Sequence, residues 1–208
     1  MKVSRTNRLL FAFAFALLLS GCAAVGVFSQ SDPAIKLADA DVLFSERGRP
    51  IPAERLFREA MDIYRERGDL AGQAKAYQLY GELLQSPAVA RMEKSYRRTG
   101  FLDRSISFDD RAAKASEHFA TSVSLFQKDE QQAREAGDYH RVATSSYHLG
   151  LSYYLLKDRD GACGSFDRAS EAYDEFLRRN PDVKPESNPE AARVDKTISG
   201  VKKHVGCP

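Results

Sequence analysis

Arg65–Leu84 reads "RERGDLAGQAKAYQLYGELL", and Arg134–Tyr153 reads "REAGDYHRVATSSYHLGLSY". At one constant offset Arg65 matches Arg134, Glu66 matches Glu135, Gly68 matches Gly137 and Asp69 matches Asp138; Ala74 then falls on Ala143 and Gly81 on Gly150. Each Gly-Asp pair combines a residue free to take positive φ with a side chain that accepts from the first N–H groups of a helix. One helix therefore stops there and another starts. The flanking text is helical as well. Leu56, Phe57, Ala60, Ile63 and Tyr64 share one helical face, as do Tyr77, Tyr80, Leu83 and Leu84. Phe119, Val123 and Phe126 repeat the pattern, and so do Phe166, Ala169, Tyr173, Phe176 and Leu177. Strand-like alternation is nearly absent, so the fold class is all-α. Pro181 and Pro185 mark a linker, and Asn188-Pro189 opens a last helix with Asn as cap and Pro in the first turn.

These positions resemble the tetratricopeptide repeat (TPR), a helix pair of about 34 residues. Leu149-Gly150, Tyr153, Ala162, Phe166 and Ala169 stand at the signature spacing of one unit. Tyr80-Gly81, Leu84, Ala115 and Phe119 match a second, with Ser122 at its last small position. Ala53, Phe57 and Ala60 match the second helix of a first unit, whose first helix, about Ile35 to Glu46, carries Asp41 at the glycine position. The resemblance implies a TPR-like solenoid of about three helix pairs over residues 35–181, with a short inserted helix and a C-terminal capping helix. Gly and Ala would let paired helices approach, aromatic residues would fill the gap between units, and each pair would need a neighbour to bury its core.

The middle unit departs from the repeat by about 22 extra residues, with the insertion spanning about 86–107. Ser86-Pro87 is a cap for a short helix on which Val89, Met92 and Tyr96 share a face and which Gly100 ends. Ser107 and Asp110 resemble a capping box for the long helix that follows. Arg91, Lys94, Arg97 and Arg98 make the insertion a possible basic docking element for an anionic partner or lipid headgroups; a solvated excursion is the alternative.

The chain begins with Lys2, Arg5 and Arg8 and then an apolar run from Leu9 to Leu19. That run is too short to span a bilayer and suits the apolar part of a signal peptide. It ends in Leu19-Ser20-Gly21-Cys22, which resembles the lipobox of bacterial lipoproteins. The resemblance implies a signal peptide over 1–21, lipidation of Cys22, a tether over 22–34, and an outer-membrane anchor facing the periplasm. Loss of three basic residues with the signal would leave 28 basic residues against the 29 acidic ones. Such a balance gives no reason to expect nucleic acid as a partner. With Cys22 lipidated, Cys163 and Cys207 remain, either as a bridge permitted by an oxidising compartment or as two separate thiols. A bridge would pin the C-terminal segment, 182–208, whose Ala192, Val194, Ile198 and Val201 are available to cover the end of the stack.

No catalytic pattern emerges. There is no phosphate-binding glycine loop and no metal-ligand spacing. His118, His140, His148 and His204 are scattered, and Cys163 falls within a predicted helix. We therefore expect no enzyme activity, no metal and no cofactor apart from a covalent lipid. By resemblance, the first helix of each pair lines a groove for a partner protein or peptide. The groove residues are Lys75, Gln78 and Glu82 in the middle unit and Thr144, Tyr147, Leu151 and Tyr154 in the last. The expected function is a lipid-anchored adaptor of the bacterial envelope, similar in plan to repeat lipoproteins that scaffold cell-wall hydrolases and to pilotins. An accessory subunit or enzyme of cell-wall metabolism, and a purely structural spacer, are the alternatives.

Overall fold

Asp69, Asp138 and Asp158 start three helices by one local device. Their carboxylates accept from the backbone N–H of Gly72 at 2.8 Å, Arg141 at 3.0 Å and Gly161 at 2.9 Å. The preceding helices end on residues with positive φ: Gly68 at 65°, Gly137 at 71° and Lys157 at 63°. Glycine takes this conformation freely, whereas Lys157 pays for its Cβ there.

The structure, a computed structural model, describes residues 31–183 and 189–208. The signal segment 1–21, Cys22, most of the 22–34 tether and Asn188 lie outside the described residues. The described chain is all-helical. Helices α1 (Pro33–Ser45) and α2 (Pro50–Glu66) come first, then α3 (Leu70–Gln85). The insertion holds α4 (Pro87–Arg91) and α5 (Glu93–Thr99). Then follow α6 (Arg111–Ala136), α7 (Tyr139–Leu155), α8 (Arg159–Arg179) and α9 (Pro189–Val205).

Helix α1 packs on α2, α2 on α3, α3 on α6, α6 on α7, α7 on α8 and α8 on α9; α1 also touches α3, and α3 touches α7. Close approach within a pair depends on missing side chains. A Cβ at Gly81 would lie 2.5 Å from the Phe119 ring, and one at Gly150 would lie 2.5 Å from the Phe166 ring. The two contacts are equivalent, α3 against α6 and α7 against α8. Phe57, Phe119, Phe126 and Phe166 are fully buried or nearly so, each contributing about 2–3 kcal/mol of transfer free energy.

Buried polar groups fix how neighbouring helices meet. Asp129 on α6 is fully buried and accepts from Arg141 Nε at 3.1 Å and from the Ser145 hydroxyl, both on α7. The Ser122 and Ser152 hydroxyls meet at 2.9 Å across the same pair of helices. Both links satisfy groups that would otherwise be desolvated without compensation.

The insertion differs from the single helix read from the sequence. The chain breaks at Met92, whose N–H turns to the Val89 carbonyl three residues back at 3.0 Å. The first piece has barely one turn, so few helical hydrogen bonds oppose the break. Val89 and Tyr96 are nevertheless both buried, and Gly100 ends the excursion with φ of 73°. Ser107 and Asp110 form the reciprocal pair, Ser107 N–H to Asp110 at 2.7 Å and Asp110 N–H to the Ser107 hydroxyl at 3.2 Å. They close a turn just ahead of α6.

A long-range contact seats the insertion. Glu54 on α2 is 1% exposed, and its Oε1 accepts from the Tyr80 hydroxyl at 2.9 Å and from Leu102 N–H at 2.6 Å. Tyr96 stacks on Phe101 with ring centres 4.3 Å apart, and Arg58 pairs with Asp103 at 3.3 Å. At the other end of the molecule Cys163 on α8 and Cys207 after α9 are joined in a disulfide with Cα atoms 5.5 Å apart. Val194, Ile198 and Val201 of α9 pack around Ala162, Phe166 and Ala169 of α8.

Candidate functional site

Helices α1, α3 and α7 converge around Lys75. Its ammonium interacts electrostatically with Asp41 on α1, Glu82 on α3 and His148 on α7. Burial lowers the Lys75 pKa, while Glu82 and Asp41 oppose the shift. Burial raises the Glu82 pKa, against the Gln78 hydrogen bond and Lys75. Both groups are pushed towards neutrality, because desolvation penalises each charged form. No carboxylate within ion-pair distance of Lys75 is found among the described residues.

Gln78 and His148 complete this cluster. Gln78 is 3% exposed, and its Nε2 donates to Glu82 Oε1 at 3.1 Å. Its Oε1 has no partner among the described residues, and neither does His148 Nδ1. The His148 ring stacks on Phe126 with centres 5.5 Å apart. Burial takes its pKa from 6.5 down to about 3, so the ring is neutral at physiological pH. The cluster thus offers the Lys75 amine, the Glu82 carboxyl group and two buried polar atoms without partners, Gln78 Oε1 as an acceptor and His148 Nδ1 as a donor or acceptor by its tautomer. Such groups are rare in folded proteins and mark places where water or a ligand belongs.

The four groove residues on α7 divide. Thr144 and Tyr147 line a mainly apolar cleft of about 230 Å³ shared with His140, Tyr173, Val194 and Ile198. Leu151 packs into the cluster around Ile198, and the Tyr154 hydroxyl lies 3.3 Å from His204 Nε2. Helix α9 therefore contacts Leu151 and Tyr154, although Tyr154 stays 42% exposed; Thr144 is exposed, Lys75, Glu82 and Tyr147 are half-buried, and Gln78 is buried. Sequence spacing places the four residues on one face of α7 but carries no information about a helix returning from 50 positions away.

A second, polar cleft of about 200 Å³ lies between α2, α3, α6 and the insertion. Arg58, Arg65, Gln73, Tyr77, Asp103 and His118 line it. His118 sits between Tyr77 and Tyr80, with ring centres 5.5 and 5.0 Å away. Burial lowers its pKa, and its Nε2 has no partner among the described residues. The sequence shows His118 only as an isolated histidine. Its neighbours arrive from three separate elements.

In the basic element Arg97 is already engaged. It donates to both oxygens of Asp109, at 2.9 and 2.6 Å, and to Glu93 at 2.7 Å. Arg91, Lys94 and Arg98 are exposed beside it. Cys163 is consumed by its disulfide. Among the described residues no cluster of three or more His, Cys, Asp or Glu is placed to hold a metal, and no helix is long and apolar enough to cross a membrane. No protein-family model matches the chain, and neither a curated protein nor a solved structure matches it.

Proposed function

We propose that this chain is a lipid-anchored adaptor of the bacterial envelope, built as a TPR-like stack and binding a partner protein or peptide without catalysing a reaction. The observation that carries the reading is the Lys75 cluster, where Gln78 Oε1 and His148 Nδ1 are buried without partners beside a lysine lacking an ion pair. A peptide backbone supplies the donors and acceptors this set lacks, and Tyr147 in the adjoining cleft offers an aromatic anchor. Support for the stack comes from the equivalent Gly81–Phe119 and Gly150–Phe166 contacts and from the neighbour-to-neighbour packing order. Support for the anchor and the outer-membrane location is the sequence around Cys22.

The test is photocrosslinking in cells, with a photoreactive residue at position 82 or 144 and a control at exposed Lys128. The reading expects one recurrent partner from the first two sites, lost when Lys75→Glu and Tyr147→Ala are combined. Equal adducts from position 128, or recovery unaffected by the double substitution, would defeat it. Fatty-acid labelling that persists in Cys22→Ala would remove the anchor.

A second reading, an accessory subunit or enzyme of cell-wall metabolism, draws on the His118 cleft and its unpartnered Nε2. Loss of a cell-wall phenotype on His118→Gln, with the crosslinked partner retained, would favour it.

A further inference from the structure

We propose that the edge formed by the α1–α2 connection and the inserted helices α4 and α5 docks on the phosphate headgroups of an anionic phospholipid bilayer. Lys94 and Arg98 lie four residues apart on α5 and Arg91 ends α4 across the break at Met92; all three are exposed, and they line one open depression. The Arg91 guanidinium reaches the α1–α2 connection, where a Cβ on Gly48 would lie 3.3 Å from it. That contact brings the exposed Arg47 and Arg49, which flank Gly48, to the same edge.

None of these five cations has a carboxylate within ion-pair distance among the described residues. The insertion's own acids are committed elsewhere: Glu93 and Asp109 to Arg97, and Asp103 to Arg58. Glu46 is the acid of the connection, set against two arginines. The edge is therefore a row of available positive charge, although the chain as a whole is close to neutral, with a formal charge of +2.

Two exposed aliphatic side chains lie near this row along the chain, Ile51 two residues after Arg49 and Leu102 four after Arg98. Ile51 is 42% exposed and Leu102 is 46% exposed. Glu54 links them: it accepts from Leu102 N–H at 2.6 Å and sits one turn after Ile51 on α2. Cations that meet phosphates beside aliphatics that enter the acyl boundary are the chemistry of an interfacial docking surface. An acidic protein fits less well. Tight protein interfaces centre on aromatic anchors in pockets, and Tyr96, Phe101 and Phe108 are all buried beneath this edge.

The full chain should be partitioned between buffer and two vesicle preparations, phosphatidylcholine alone and phosphatidylcholine mixed with phosphatidylglycerol. The apolar segment at residues 9–19 acts on both, so the ratio of the two partition coefficients is the readout. At low salt the ratio should be about tenfold or more, and it should collapse at high salt. Arg91→Glu, Lys94→Glu and Arg98→Glu together should abolish the preference, with helical content by circular dichroism unchanged. Reversing Lys128, Lys157 and Lys203 to Glu should preserve it. Ile51→Ser with Leu102→Ser should weaken binding to the anionic vesicles. Equal binding of the wild type to both vesicles, or equal loss from the two charge reversals, overturns the proposal. So does binding to polyglutamate without any preference for phosphatidylglycerol.

Discussion

The Tyr80 hydroxyl donates to Glu54 across 2.9 Å in the interior, and the same carboxylate oxygen accepts from Leu102 N–H. One side chain on α2 thereby satisfies a tyrosine on α3 and the backbone of the insertion. Burial raises the Glu54 pKa above its ordinary value. The folded state then holds the proton more tightly than the unfolded state, and stability falls as pH rises from about 4.3 through the folded pKa. Glu54→Gln keeps an acceptor for both donors and removes the charge. It should be neutral or stabilising at pH 7, with its advantage vanishing below pH about 4. Glu54→Ala leaves both donors stranded and should cost about 2–4 kcal/mol. Urea denaturation at several pH values checks both.

His148 has the opposite dependence. Its pKa falls from 6.5 in the open chain to about 3 in its buried place against Phe126. Unfolding therefore takes up a proton below pH 6.5, and stability is lost as pH falls through that window by up to about 1.4 kcal/mol per pH unit. His148→Asn should lower stability at pH 7, because the stacking is lost, and flatten the acid limb between pH about 6 and 4. An acid limb of unchanged slope would assign it to other groups, with His118 next in line.

The two glycine–phenylalanine contacts predict a graded response. Gly150→Ala places a methyl 2.5 Å from the Phe166 ring, which is fully buried, so the helices must separate. A loss of about 1–3 kcal/mol is expected, and Gly81→Ala against Phe119 should behave alike. Gly164→Ala on α8 is the control. Its nearest neighbour is an arginine nitrogen at 3.7 Å, so the gain in helix propensity should win by up to about 1 kcal/mol. Thermal melts of the three variants test the series.

The disulfide predicts a redox-dependent lid. Cys163 and Cys207 close a loop of 44 residues, which the chain-entropy relation values at about 4 kcal/mol. Reduction, or Cys207→Ser, should raise hydrogen exchange in α9 before it does so in α7 or α8. It should also expose Leu151, which packs beside α9, and free the Tyr154 hydroxyl from His204. Uniform acceleration across all helices would mean that α9 is an integral part of one cooperative unit.

The sequence by itself settled what depends on neighbours a few positions away. Asp69 and Asp138 cap helices because a carboxylate reaches N–H groups two or three residues ahead. Gly81 and Gly150 could be read as close-approach positions because each stands 13 residues after the glycine of its Gly-Asp boundary, at the small position of the repeat signature. Ser107 and Asp110 pair reciprocally, but as a turn ahead of α6, whose cap residue Asp110 makes no side-chain cap bond. What only the tertiary structure decided lies between residues far apart in the chain. Glu54 reads locally as one more polar residue of an amphipathic helix, yet Leu102, 48 positions on, makes it the buried seat of the insertion. Leu151 reads as open groove until α9 packs beside it, and Tyr154 as unpartnered until His204 reaches its hydroxyl, while the break at Met92 left Val89 and Tyr96 both buried. Helix starts and stops are set by short-range hydrogen bonding and backbone sterics, which a string of letters encodes directly. Which face is covered, and which buried polar atom lacks a partner, follows from packing the whole chain at once.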